Sequence, residues 1–132
     1  FTLRPNSQVR FTPVSQQSRS VITSLRLLTG GLLSVFGKGS KQLFTPAATI
    51  GIRGTGVYME SNADSSYVCL CYGKVDLTAN VKAAPTNLLE ATHHQAKRIQ
   101  NTGAVGDETM LNHTDDELVY LESLVGRKVP FA

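Results

Sequence analysis

The chain has 132 residues, of which 41% are hydrophobic and 17% charged. That fits one folded domain with a core of its own and is not the composition of a disordered chain. A net charge of +3 with Arg4, Arg10, Arg19, Arg26, Lys38 and Lys41 spread along the first half gives no basic cluster, so no nucleic acid is expected as a partner. The acids gather late instead, at Asp107, Glu108, Asp115, Asp116, Glu117 and Glu122.

In chain order the first signals are strands. Residues 8–12 place Val9 and Phe11 at period two, and residues 21–28 are β-branched early and apolar late. Gly30-Gly31 reads as a turn before a short apolar run at 32–36. Gly37-Lys38-Gly39-Ser40 closes that run, and Leu43 and Phe44 mark the next strand before Pro46. The central alternation is the clearest, with Ile50 and Ile52 on one face and Val57 and Met59 opposite Tyr58. Gly51 and Gly54 flank Arg53, which predicts a bend or bulge there. Arg53 is expected to lock that loop by donating to backbone carbonyls or a carboxylate, with ligand binding as the rival role. Residues 61–66 read as a hairpin loop and 67–72 as the return strand. Gly73-Lys74 reads as a second turn before a strand at 75–77.

Residues 83–107 show no clear period and are expected to form an irregular segment wrapping the core, with short strands at Leu88-Leu89 and Ile99. Then Thr114-Asp115-Asp116-Glu117 spells a capping box, with the acids at the positive end of a helix. The helix is predicted over 115–125, with Leu118, Leu121, Leu124 and Val125 as its apolar stripe and Gly126 as its stop. The expected fold class is therefore all-β, a rolled β-sandwich or short β-helix-like domain with one C-terminal α-helix. The expected division is a β domain at 1–82 and a tail at 83–132. The opening at Phe1 suggests a fragment or processed product, trimmed at its N-terminal side. No stretch reaches the roughly 18 apolar residues of a membrane span, so membrane association would come only from segments outside these residues.

The run Phe44-Thr45-Pro46-Ala47-Ala48-Thr49-Ile50-Gly51-Ile52-Arg53-Gly54-Thr55-Gly56-Val57-Tyr58 resembles the signature of FecR-type domains. Gly73-Lys74-Val75 is similar to the family's later G-x-V turn, and Leu3-Arg4-Pro5-Asn6-Ser7 to its early L-x-P-x-S turn. Together these cover roughly residues 1–78. Tyr72 stands where the family usually has an acid. The resemblance implies a periplasmic, all-β sensor domain in the bacterial cell envelope that takes part in signal transduction. It implies an envelope protein as partner and no catalysis. In the family's iron-uptake regulators, a C-terminal receptor-binding module and an N-terminal cytoplasmic segment carry the signal to a sigma factor. Neither lies within these residues.

One constellation could carry chemistry. Cys69 and Cys71 are the only cysteines. At i and i+2 of a strand they share a face, with α-carbons about 6.5–7 Å apart. A disulfide wants roughly 4.4–6.8 Å with converging β-carbons, whereas two thiolates at that spacing can grip one metal. The three histidines, His93, His94 and His113, all follow later. A wrapped tail that laid His94 and His113 over the cysteines would complete a tetrahedral set. In an extended chain His93 and His94 face opposite ways, so one of the two ligates. The cofactor would be a metal ion or a two-iron cluster with mixed ligation, making a redox module the alternative function. The competing reading is simple packing, since cysteine is among the most buried residue types. No motif of a hydrolase, nucleotide-binding or zinc-protease site is present. Exposed strand edges make pairing of two copies a further expectation.

Overall fold

A computed structural model describes residues 1–13 and 22–131. Nine strands and one helix follow in order: β1 (Thr2–Leu3), β2 (Gln8–Pro13), β3 (Ile22–Val35), β4 (Ser40–Phe44), β5 (Ala48–Ser61), β6 (Ser65–Ala79), β7 (Thr86–Ala91), β8 (Gln95–Gln100), β9 (Val105–Glu108) and α1 (Asp115–Leu124). All nine strands join one sheet, which curls into a half-barrel carrying the single C-terminal helix. The all-β class with one C-terminal helix therefore holds. The strand expected from Val21 begins outside the described residues.

β5 and β6 form the spine. They pair antiparallel from Ala48↔Ala79 to Ser61↔Ser66 around a tight turn at Asn62–Asp64. β3 pairs with β5 along 30–35 and with β1 and β2 on its other side. β4 sits between β3 and β5, parallel to the first and antiparallel to the second.

The spine contains two bulges that offset each other. Between Arg53↔Lys74 and Gly56↔Tyr72, β5 carries one extra residue. Between Gly56↔Tyr72 and Val57↔Leu70 the extra residue is on β6, and it is Cys71. A bulge shifts which residues face which side. Core positions accordingly change parity on both strands: Ile50 and Ile52 become Val57 and Met59, while Val68 and Leu70 become Val75 and Leu77. The core face thus stays continuous although the sequence alternation breaks.

Two expected turns are absent. Gly73 and Lys74 are not a turn but lie inside β6, and Gly30-Gly31 lie inside β3. Both Gly30 (φ 90°) and Gly73 (φ 103°) adopt the left-handed region that favours glycine. Neither has room for a side chain: a β-carbon would fall 2.0 Å from Ser7 Oγ at Gly30 and 2.6 Å from Thr55 Cγ2 at Gly73. Positive φ bends these strands without ending them.

The segment expected to be irregular holds three strands. β7 pairs with residues 73–78 of β6, β8 with residues 65–70, and β9 with β8. The ladder thus crosses position 82 without a break. Leu88-Leu89 and Ile99, expected as short strands, lie in β7 and β8. Their full extent and β9 escape sequence reading because the apolar signal is thin: β7 buries only Leu89, and Leu88 is 79% exposed.

The sheet buries side chains on both faces. One face packs Leu25, Leu27, Leu32, Leu43, Ile50, Val57, Met59, Leu70, Leu77 and Ile99. On the other, Leu118 and Leu121 of α1 cover Leu33, Tyr58, Tyr67, Cys69, Cys71 and Tyr72. Leu124 and Val125, expected in the helix stripe, are exposed instead. Gly126 (φ 72°) ends the helix, and the Arg127 N–H returns to the Glu122 carbonyl at 2.9 Å.

A candidate metal centre under the helix

Cys69 and Cys71 lie on the helix-covered face of β6, both fully buried. Cys69 is there by simple alternation. Cys71 follows it by the same alternation, and the bulge at Cys71 then adds Tyr72 to that face. Both thiols are free.

Two histidines meet them. His94 follows the turn between β7 and β8, where its N–H donates to the Cys71 carbonyl at 2.9 Å. Its Nδ1 lies 3.4 Å from Cys69 Sγ. His113 immediately precedes the Thr114 cap of α1, and its Nε2 lies 3.4 Å from Cys71 Sγ. The ligand atoms of Cys69, Cys71, His94 and His113 all lie within 4.8 Å of one another. The structure therefore brings together the four residues singled out from the sequence. His93 is half-exposed and stays off the sulfurs, but because His94 is left-handed (φ 61°) the two rings lie side by side, 4.6 Å apart, and do not face opposite ways as in an extended chain.

The far side of each ring is anchored. His113 Nδ1 donates to the Leu111 carbonyl at 2.6 Å, and His94 Nε2 to Asp115 Oδ1 at 2.6 Å. Each bond places the ring proton on the outer nitrogen and turns a lone pair toward the sulfurs. A carboxylate or carbonyl behind an imidazole is the usual support of a metal-bound histidine. Asp115 also accepts from His93 Nε2 at 2.7 Å. These bonds, first that from His94, hold its carboxyl below the ordinary carboxylate range. Sequence reading assigned Asp115 to the helix dipole alone. Its hold on the imidazoles depends on where the β7–β8 turn lands, and nothing in the sequence reports that.

Aromatic packing fixes the same segment. The Tyr58 ring stacks on His113 at 4.6 Å, and Phe131 on His93 at 4.3 Å. The Tyr67 hydroxyl donates to the Thr109 carbonyl at 2.6 Å and accepts from the Leu111 N–H at 2.9 Å. Burial raises the Tyr67 hydroxyl well above its ordinary value. Both ligand-bearing loops are strained: His94 (φ 61°) and Asn112 (φ 60°) are left-handed without being glycine. Such positions cost on the order of 1–3 kcal/mol each and gather at functional sites.

Electrostatically the two sulfurs act as a pair. The hydrogen bond from Cys71 above all holds the Cys69 thiol below its ordinary range. The same bond and burial push the Cys71 thiol upward. Zinc at about 2.3 Å from sulfur and 2.0–2.1 Å from nitrogen puts tetrahedral neighbours roughly 3.5 Å apart. The two sulfur–nitrogen separations of 3.4 Å match that edge. A mixed-ligand two-iron cluster puts its cysteines on one iron and its histidines on the other. Here each sulfur sits beside an imidazole nitrogen, which suits one ion.

The signature residues lie elsewhere. Arg53 makes neither of the contacts expected of it. It is exposed, and its Nε donates to Ser40 Oγ at 3.1 Å. Exposure explains the difference: alternating with the buried Ile50 and Ile52, Arg53 points away from the core toward water. It borders a shallow depression of about 680 Å³, lined also by Lys41, Gln42, Lys74 and Asp76. Arg4, in the early turn, clamps the helix start. Its two terminal nitrogens donate to Glu117 at 2.7 and 2.9 Å, and one also to the Asn112 carbonyl at 2.7 Å. Tyr72 finds an acid after all: its hydroxyl donates to the buried Glu122 at 2.7 Å. Glu122 is also paired with Arg127 at 2.7 Å.

No protein-family model matches the chain, and no curated protein matches it by sequence. Among solved structures it is similar in fold to a crystal structure from Parabacteroides distasonis described as a "putative anti-sigma factor". The TM-score is 0.57 at 13% identity, covering 86% of this chain. The match spans about half of that protein's length, 51%. At this identity the likeness is one of fold.

Proposed function

We propose that this chain is a non-enzymatic sensing and binding domain of FecR type that works in signal transduction on the periplasmic side of a bacterial envelope. The observation that carries this reading is the correspondence of its curled sheet, over 86% of the chain, with the Parabacteroides protein. The Gly51-Ile52-Arg53-Gly54-Thr55 run adds support by its place. It forms a bulge in the spine of the sheet and sets one exposed arginine beside a depression. A rigid sheet with an added helix is suited to carrying a binding surface. Its partner in this reading is another envelope protein. Deleting the coding segment in the source bacterium and profiling transcripts tests the role. A restricted set of genes is expected to change, and the protein is expected in the periplasmic fraction. An unchanged profile under envelope stress and iron limitation would remove the regulatory reading.

A second reading concerns what the domain holds. The Cys69–Cys71–His94–His113 cluster supports a metal-bearing module, because its four donors converge with lone pairs turned inward. The redox version of this reading requires iron, which colour and response to dithionite would report. The two readings are compatible, since a sensor domain can contain a structural ion.

A further inference from the structure

We infer that Cys69, Cys71, His94 and His113 form a closed tetrahedral site for one divalent ion of the zinc class, which fastens the helical C-terminal segment to the sheet. The inference rests on the metal-bearing reading above and deepens it by fixing the number, class and task of the ion.

The donor set comes first. Two sulfurs and two imidazoles in tetrahedral array suit zinc, a borderline-soft ion without geometric demands of its own. Closure comes second. Structural sites take all four ligands from the protein, whereas catalytic ones leave a position for water or substrate. Cys69 and Cys71 are fully buried, His113 is 5% exposed, and the His94 side chain is 11% exposed. Helix α1 lies over the same face. The site therefore lacks an entrance for a substrate.

Third is the path of the chain. The ligands come from β6, from the turn before β8, and from the residue before the helix cap. Their pairings span 25 and 42 residues. Without an ion, the loop before α1 is joined to the sulfurs only through weak sulfur–nitrogen contacts. An ion replaces these with four coordinate bonds and balances the strain at His94 and Asn112. A second, outer group of His93, His94 and Asp115 can also be drawn around a cation, but the His93 and Asp115 side chains are 47% and 41% exposed, so that group is open to water. In the inferred site Asp115 is instead a positioning residue for His94.

The test uses the untagged full chain. Zinc is expected at one ion per chain, and zinc-edge X-ray absorption should show two sulfur and two nitrogen neighbours. Cobalt(II) alone should give the intense visible bands of a tetrahedral ion, with thiolate charge transfer in the near ultraviolet. Cys69→Ser or Cys71→Ser should abolish tight binding. Asp115→Asn should weaken it about 10–100-fold, the usual loss when the group behind a metal-bound histidine is changed. His93→Gln should leave it unchanged. The absorption spectrum of the wild-type protein decides the matter even if a cysteine variant fails to fold. Iron with acid-labile sulfide would overturn the single-ion inference and leave the metal-bearing reading standing. Loss of zinc in His93→Gln, with binding kept in both cysteine variants, would overturn the ligand set. No bound metal, together with two thiols open to alkylation, would overturn both.

Discussion

Glu117 has two tasks at the start of α1. Its carboxylate accepts from the Thr114 N–H at 3.0 Å, completing the capping box, and receives the forked pair from Arg4. The reciprocal bond runs from the Glu117 N–H to Thr114 Oγ1 at 3.2 Å. Removing that acceptor with Thr114→Ala should cost about 0.5–2 kcal/mol in urea unfolding. Arg4 above all holds the Glu117 carboxyl below its ordinary value of 4.5. A depressed acid stabilises the fold fully above its unfolded value and loses that contribution as pH falls through the folded one. Acid unfolding below about pH 4.5 should therefore be shallower in Glu117→Gln, where there is no carboxyl to protonate. An identical acid limb in variant and wild type would show that the pair is screened by water, as many partly exposed pairs are.

Much at this scale was legible in the chain itself. Residues Cys69 and Cys71 share a face under any strand reading, and all the imidazoles follow them in sequence. The capping box was equally plain because it is entirely local. Asp115 was not, since a helix cap already accounts for an acid there and its second task depends on a turn 21 residues away. Nor was the position of Arg53, because a fork of donors reads as a lock whether or not its loop is exposed.

Elements were easy to place where burial was strong and obscure where it was weak. The hydrophobic alternation of β5 and β6 announced both strands; the glycines beside Arg53 were read as a bend or bulge, which β5 has, and Gly73 as a turn, which β6 does not have. Glycine reports permission for positive φ, and the sequence does not say whether the chain then reverses or merely bulges. Gly73→Ala separates the two outcomes. In a turn at the surface the change would be mild. Inside β6 its β-carbon meets Thr55 Cγ2 and the Gly54 carbonyl, 2.6 and 2.9 Å away. A loss of more than about 1 kcal/mol in stability is expected, larger than the gain of unfolded-state entropy that such a change brings elsewhere. β8 shows the opposite difficulty. It buries Ala96 on one face and Ile99 on the other, so neither a two-residue nor a helical period emerges from its sequence.

At the scale of the whole molecule, the open half-barrel has free edges. Among the described residues β9 pairs only with β8, and β7 only with β6. β9 is short and carries Asp107 and Glu108, the usual protection of an edge. β7 has less: Leu88 is the most exposed of the large apolar side chains. A second copy is expected to add there. Light scattering should show a dimer forming with concentration, and Leu88→Lys should abolish it. A constant monomer mass across a wide range would rule this out.

The position of Asp115 joins these scales. It is the first residue of α1, and both neighbouring imidazoles donate to it. Unwinding the first helical turn would therefore withdraw the acceptor behind His94 and free that ring to rotate off Cys69. Tension on the start of the helix would reach the thiols by two routes, through the Asp115 carboxylate to His94 and directly along the chain to His113, so a molecule that pulled the helix away would disturb both imidazoles at once.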